Sequence, residues 1–262
     1  MSYQSRAARA VGFVKVAAAG AVLAGGLAFA SSAGATNITI LSGTMHNQLV
    51  VDIAGIGTAY DAPMEFSTIY GGTPKSLVAF CVDVFHDITL ADYNPDLLYT
   101  DSHPFDSTYA YATPALTAAK VTQIGQLVNY GLDVFNDAGL AQPTKKTQLG
   151  AVQGAIWELV AGHNVTLNTN AAYAGFNSGV TAASFNTLVD NLAGANYLNF
   201  ITGYGGQGAG VTLITPITYP TSGTQSFVYA NAPEPGTWVM MIGGFGAAGA
   251  MLRRRRRAAA VA

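Results

Sequence analysis

Hydrophobic and polar positions along the central part of the chain predict strands at both of its ends. β-Branched and aromatic residues alternate or cluster there between Gly, Asn and Pro breaks, which is typical of strands. These segments are residues 36–43, 47–56, 64–72, 76–90, 210–219 and 224–230. Between the fourth and fifth segments the apolar residues recur every three or four positions instead, which indicates helices.

The helical patterns cover residues 116–132, 144–163 and, more weakly, 182–194. In the second pattern Thr144 is a candidate N-cap and Gly162 a stop signal. Strands, then helices, then strands predict an α+β fold. We expect a β-sandwich or barrel-like sheet with a helical insert over residues 36–231.

The N-terminal segment has the pattern of a secretory signal peptide. Three basic residues within the first fifteen positions precede an uncharged apolar stretch at 16–30, and small residues follow at 33–35. A retained membrane anchor is the alternative, but the Gly- and Ala-rich stretch is only weakly hydrophobic. We therefore predict that residues 1–35 are a cleaved signal peptide and that the mature chain is exported.

Charge is distributed unevenly along the sequence. Residues 36–231 contain four lysines and thirteen acidic residues, a net charge of −9. So acidic a segment argues against nucleic acid as a partner, because phosphates attract basic surfaces. The remaining basic residues lie near the two termini. Positive charge there indicates how the chain is oriented across a membrane.

The C-terminal stretch 238–252 has no charged residue and is followed directly by a basic cluster. As a helix it would be about 22 Å long, less than the roughly 30 Å hydrocarbon core of a bilayer. A buried C-terminal helix is the alternative, but the basic cluster disfavours it. The cluster consists of Arg253, Arg254, Arg255, Arg256 and Arg257. We predict a transmembrane helix that holds the protein only transiently in the inner membrane.

Residues Pro233, Glu234 and Pro235 precede this helix. A PEP motif, a hydrophobic helix and an arginine cluster, in that order, resemble the PEP-CTERM sorting signal, here over residues 232–262. The resemblance implies an exosortase as processing partner in a Gram-negative bacterium that makes exopolysaccharide. It also implies removal of the tail near the PEP motif, with the domain released or attached at the cell surface.

Cys81 is the only cysteine of the sequence, so it can form no internal disulfide. Its apolar neighbours suit a buried core strand, which is one interpretation. However, FCVD at 80–83 together with QGAIW at 153–157 resembles the thioester domain of bacterial surface adhesins. The resemblance implies that the Gln153 side-chain carbonyl acylates the Cys81 sulfur and that ammonia is expelled. Phe80 and Trp157 would support the bond, although core packing also explains Trp157.

A cysteine hydrolase is a further interpretation, with Cys81 as nucleophile and His86 or His163 as base. His86 lies five residues along the predicted strand and would therefore point to the opposite face. No protease signature surrounds either histidine. The four histidines also lack metal-ligand spacing, and we expect neither metal nor cofactor.

The sequence as a whole predicts an exported surface or matrix protein that is not an enzyme. Its domain would attach covalently, through a Cys81–Gln153 thioester, to an amine- or hydroxyl-bearing partner on a surface or in the matrix. The alternative is a non-reactive structural or binding protein of the exopolysaccharide matrix, in which Cys81 serves only for packing.

Overall fold

The computed structural model describes residues 35–86, 98–204, 211–218, 220 and 224–230. The strands are β1 (Asn37–Met45), β2 (Leu49–Ile53), β3 (Gly57–Asp61), β4 (Met64–Tyr70), β5 (Thr73–Cys81), β6 (Leu98–Thr100), β7 (Val165–Leu167), β8 (Val211–Pro216) and β9 (Phe227–Ala230). The helices are α1 (Ala118–Asn136), α2 (Gln142–Ala161) and α3 (Ala182–Ala193). The predicted signal peptide and the sorting tail lie outside the described residues.

Six strands close into an antiparallel barrel in the order β1-β4-β5-β9-β8-β6. Strand β4 shows how the sequence builds the barrel: Met64, Phe66 and Thr68 are buried, and the residues between them are less so. Because side chains alternate across a strand, this period of two places one face in the core. The rings of Phe66 and Phe227 of β9 meet edge to face, with centroids 4.9 Å apart. The predicted α+β fold with a barrel-like sheet is confirmed.

Helix α2 is the central element of the helical insert. It contacts α1, α3 and the three-stranded sheet β3-β2-β7. Nearly every residue from Leu149 to Ala161 is buried. A helix that is apolar all round belongs in a core, and its neighbours cover α2 on several sides. This position brings the middle of α2 to the end of β5.

The N-terminal end of α2 differs from the sequence prediction, whereas its C-terminal end agrees with it. Ala141 is the N-cap, and Pro143 lies in the first turn, where a missing N–H costs nothing. The prediction of Thr144 as N-cap was therefore wrong. Gly162 ends the helix in the left-handed conformation, with φ of 69°, as the sequence predicted.

The predicted strand over 76–90 ends much earlier, at Cys81. The last paired residue of β5 faces Phe227 of β9. The Asp83 carboxylate then accepts the backbone N–H of Phe85 at 3.1 Å, a local bond that turns the chain away from the sheet. The sequence also missed β3, β6 and β7, two of which are only three residues long.

Gly131 on α1 lies directly against Phe80 of β5. A Cβ atom at this position would lie 2.5 Å from Phe80 Cζ and 3.1 Å from Val152 Cγ1. Alanine gains up to about 1 kcal/mol in helix propensity. We expect Gly131→Ala nevertheless to lower the free energy of unfolding by about 1–3 kcal/mol, because the buried ring must move.

Urea unfolding followed by circular dichroism measures this effect. Gly175→Ala is the matched control, since nothing lies within 4 Å of an added Cβ there. A Gly131→Ala variant as stable as the control would show that Phe80 is free to move, contrary to the close packing described.

Candidate functional site

Cys81 is the last residue of β5 and is 4% exposed. Its Sγ atom lies 3.1 Å from the backbone oxygen of Asp83, two residues further along the turn. The thiol is free of any disulfide. The strand end and the turn therefore hold the sulfur at one position beside the barrel strand β9.

Gln153 lies in the middle of α2 and is fully buried. Its side-chain amide forms two hydrogen bonds with the backbone of Cys81. The Cys81 N–H donates to Gln153 Oε1 at 2.9 Å, and Gln153 Nε2 donates to the Cys81 carbonyl oxygen at 2.7 Å. The two residues that the sequence singled out, 72 positions apart, therefore meet in the core.

This arrangement has the features of a site for acyl transfer to sulfur. Attack of Cys81 Sγ on the Gln153 amide carbon would place negative charge on Oε1. The Cys81 N–H already donates to that oxygen, as a donor that stabilises an oxyanion does. The reciprocal pair also fixes the amide against the backbone of Cys81 before any reaction, and such positioning lowers the entropic cost of attack.

The electrostatic environment keeps the Cys81 thiol protonated at rest. Burial is the largest cause that raises the pKa of Cys81, and the carboxylates of Asp83 and Asp61 raise it further. The Trp157 indole opposes this rise, because its N–H faces the sulfur and favours the thiolate. Trp157 Nε1 is buried and forms no hydrogen bond of good geometry among the described residues. It is therefore available to the sulfur as a weak donor.

A cavity of about 470 Å³ opens at this site. Cys81 and Trp157 line it from the core side. The side chains of Tyr60, Met64 and Phe227 contribute apolar and aromatic wall. The cavity offers a small molecule or a side chain a route to the sulfur, whereas Gln153 is fully buried and does not line it.

Asp83 and His86 form a pair at the same cavity. His86 Nδ1 lies 2.7 Å from Asp83 Oδ2, and the His86 ring is one of the cavity walls. Burial raises the pKa of Asp83, and the hydrogen bond from His86 opposes that rise. The prediction that His86 points away from Cys81 was wrong, because the strand ends at Cys81 and the turn brings His86 back.

Asp61, at the end of β3, is a residue that the sequence analysis missed. It is fully buried, and neither carboxylate oxygen has a hydrogen-bond partner among the described residues. Burial raises its pKa well above the ordinary value of 3.8. Its neighbour Ala62 lines the cavity together with Cys81. No sequence signal distinguishes Asp61 from the aspartates at the surface.

The structure separates other candidates from the site. Phe80 is buried against α1 at Gly131 and supports the strand rather than the cavity. His163 lies against the β2–β3 turn at Gly55 and is not among the described residues that line the cavity. Nor does the described part of the chain contain a group of three His, Cys, Asp or Glu side chains placed to hold a metal ion.

Comparison with protein families identifies the C-terminal segment. The model of the PEP-CTERM protein-sorting motif matches residues 231–257. The chain carries a PEP-CTERM sorting motif. Such a motif implies export, processing by an exosortase and transient anchoring in a membrane, with the domain on the outer side.

The predicted membrane helix at 238–252 lies outside the described residues, as do the PEP residues and the arginine cluster. Within the described ranges, no helix combines the length and the apolar character needed to cross a membrane.

No curated protein matches the chain. Among solved structures, the fold is similar to the N-terminal thioester domain of the fibronectin-binding protein SfbI from Streptococcus pyogenes. The similarity covers 70% of this chain and 93% of that domain, with a TM-score of 0.40 and 12% sequence identity.

Proposed function

We propose that the domain forms an internal thioester between Cys81 and Gln153 and uses it for covalent attachment to a partner, as an exported adhesive protein. The observation that carries the proposal is the reciprocal hydrogen bonding between the Gln153 amide and the Cys81 backbone. A buried glutamine amide costs several kcal/mol when it is unpaired. This pairing holds the amide beside the only thiol of the chain.

Thioester formation needs no reagent from outside the protein. The Cys81 sulfur attacks the Gln153 amide carbon, the C–N bond breaks, and the thiol proton leaves with the amide nitrogen as ammonia. Because Gln153 is fully buried and Cys81 is only 4% exposed, bulk water has little access to the product. The bond then persists as a stored electrophile inside the domain.

Attachment consumes the thioester once. An amine or hydroxyl of the partner attacks the acyl carbon, becomes joined to residue 153 and releases the Cys81 thiol. Because the domain itself becomes part of the product, it does not turn over, and we propose that it is not an enzyme. The cavity beside Cys81 is the route by which the partner group enters.

The sorting motif supports the location in which such a domain would act. We propose that the chain belongs to a Gram-negative bacterium and that an exosortase removes the tail near Pro233-Glu234-Pro235. The domain then lies at the cell surface or in the extracellular matrix, where partners with free amines and hydroxyls are available.

A non-reactive structural or binding protein of the exopolysaccharide matrix is the second candidate. The same hydrogen bonds favour it, because they satisfy the Gln153 amide and the Cys81 backbone without any covalent step. In that case Cys81 is a buried core residue, and the sorting motif alone determines the location.

Thiol titration of the denatured protein separates the two candidates. Without reductant, the thioester form presents no thiol to Ellman's reagent even in guanidinium, and hydroxylamine then releases one thiol per chain. A protein that shows one thiol per chain before hydroxylamine, with Gln153 still an amide, would contradict the thioester. The Cys81→Ala variant provides the baseline.

Replacement of Pro233, Glu234 and Pro235 by alanines tests the sorting part of the proposal. We expect the variant to stay in the inner membrane, because the exosortase no longer recognises the segment. Fractionation and immunoblotting of cells that contain the exosortase measure the distribution. A variant with Ala258→Ser, beyond the arginine cluster, is the control, and release of the triple variant at the control level would contradict exosortase sorting.

A further inference from the structure

The Asp83–His86 pair has no role in thioester formation as described above. Asp83 is fully buried, and its carboxylate faces the His86 ring at 2.7 Å. An ionised carboxylate only accepts hydrogen bonds, so it holds the His86 proton on Nδ1. In the neutral ring with this tautomer, Nε2 is the hydrogen-bond acceptor. His86 lines the cavity and is held by a carboxylate, as a general base is.

The same turn connects this base to the sulfur. The backbone oxygen of Asp83 contacts Cys81 Sγ at 3.1 Å and also accepts a hydrogen bond from Gln225 Nε2 at 3.0 Å. Gln225 itself lines the cavity. The leaving sulfur and the base thus belong to one short segment, and the Gln153 amide is hydrogen-bonded to its first residue.

The cavity favours an uncharged acceptor. Its described walls include no Asp, Glu, Lys or Arg side chain, and the polar groups are hydroxyls and amides such as Tyr60, Gln48 and Gln225. Asp61 and Asp83 are close enough to raise the pKa of Cys81, but both are fully buried and neither lines the cavity. An entering ammonium ion would therefore lose water without direct contact to a carboxylate, which is unfavourable. A hydroxyl is neutral and can exchange its water contacts for the wall's polar groups.

We propose that the cavity admits a hydroxyl-bearing acceptor and that His86 acts as the general base for its attack; this inference rests on the thioester proposed above. His86 Nε2 takes the hydroxyl proton while the acceptor oxygen bonds to the Gln153 acyl carbon. The carbon–sulfur bond breaks, and the proton passes to the Cys81 sulfur. An ester at residue 153 and a free thiol result, and the ring is neutral again.

An amine differs from a hydroxyl in its need for this base. A neutral amine attacks with its own lone pair, whereas a hydroxyl is a weak nucleophile until its proton is accepted. General bases contribute about 10²–10⁴-fold to rates. His86→Gln should therefore slow transfer to glycerol at least about 100-fold, and leave the reaction with methylamine at pH 9.5 within about threefold of wild type.

Intact mass spectrometry against time measures both reactions on the purified protein. Glucose and a serine peptide, tested in parallel, distinguish a carbohydrate from a protein source of the hydroxyl.

Each remaining outcome decides the inference. Equal slowing of both acceptors, or an unchanged glycerol rate, overturns the base role while leaving the thioester intact. A wild-type protein that has not lost ammonia overturns the thioester and the base role together. If His86→Gln does not fold, the same rates are measured on Asp83→Asn. This variant keeps His86 but removes the carboxylate that holds its proton on Nδ1. Asp83→Asn should slow transfer to glycerol and leave the reaction with methylamine unchanged. Equal slowing of the two reactions would overturn the base role.

Discussion

Cys81→Ala is expected to abolish covalent attachment and to lower the free energy of unfolding by about 4 kcal/mol. The thioester would close a loop between positions 72 residues apart. By the chain-entropy argument applied to disulfides, a cross-link of that span stabilises a protein by about 4 kcal/mol. The variant loses this link and the nucleophile together. Attachment of a biotinylated amine, detected on blots, and urea unfolding measure the two effects.

Gln153→Ala is the matched comparison for this prediction. Both variants lack the cross-link, but the Gln153 hydrogen bonds go to the backbone of residue 81 and survive in Cys81→Ala. Gln153→Ala instead leaves a buried N–H and a buried carbonyl unpaired, at about 1–3 kcal/mol each. We expect Gln153→Ala to be the less stable of the two by about 2–6 kcal/mol. Equal stabilities, or attachment that persists in either variant, would contradict the site as described.

Asp61→Asn is expected to stabilise the protein by about 1–3 kcal/mol at pH 8. Both oxygens of Asp61 are buried without a hydrogen-bond partner among the described residues, so its charge is not compensated. Asparagine has nearly the same shape and no charge. The size of the gain should exceed that of ordinary surface substitutions, which usually change stability by less than about 0.5 kcal/mol.

The gain from Asp61→Asn should depend on pH in a defined direction. Burial raises the folded-state pKa of Asp61 above its ordinary value of 3.8, so the folded state binds more protons than the unfolded state between the two values. Wild-type stability therefore falls as pH rises through that window. The advantage of the variant should be small at pH 4 and larger at pH 8.

Urea unfolding at several pH values tests this dependence. Asp106→Asn is the control, because hydrogen bonds from Thr108 lower the pKa of Asp106 and its exposed carboxylate has partners. That variant should show no gain at pH 8. An Asp61→Asn variant that is destabilised, or whose gain is largest at pH 4, would contradict an uncompensated buried carboxyl.

The sequence predicted the parts of the site that depend on local patterns. The helix that carries Gln153, its end at Gly162 and the strand that carries Cys81 follow from periodicity and from glycine's conformational preference. Their approach to each other came from a motif resemblance and not from spacing, because 72 residues separate them. The hydrophobic periodicity of a sequence predicts single helices and strands, but not how far apart two of them lie in the fold.

The parts that were not predicted depend on tertiary contacts. β5 ends at Cys81 because pairing with β9 stops there and the Asp83 side chain turns the chain. Apolar residues continue on both sides of Asp83, through Val84 and Phe85, and give no sign of that end. His86 reaches the cavity only through this turn, and the burial of Asp61 depends on elements packed around β3. The burial of a single acidic residue cannot be predicted from the periodicity of the sequence.

The intact mass of the purified protein, taken without reductant before and after methylamine, tests the thioester most directly. The proposed bond predicts a mass one ammonia below the value calculated from the sequence, which rises by one methylamine on treatment. Peptide mapping around residue 153 distinguishes a bond lost to hydrolysis, which leaves Glu, from one that never formed. A mass equal to the calculated value, with Gln153 intact and Cys81 free, would contradict covalent attachment.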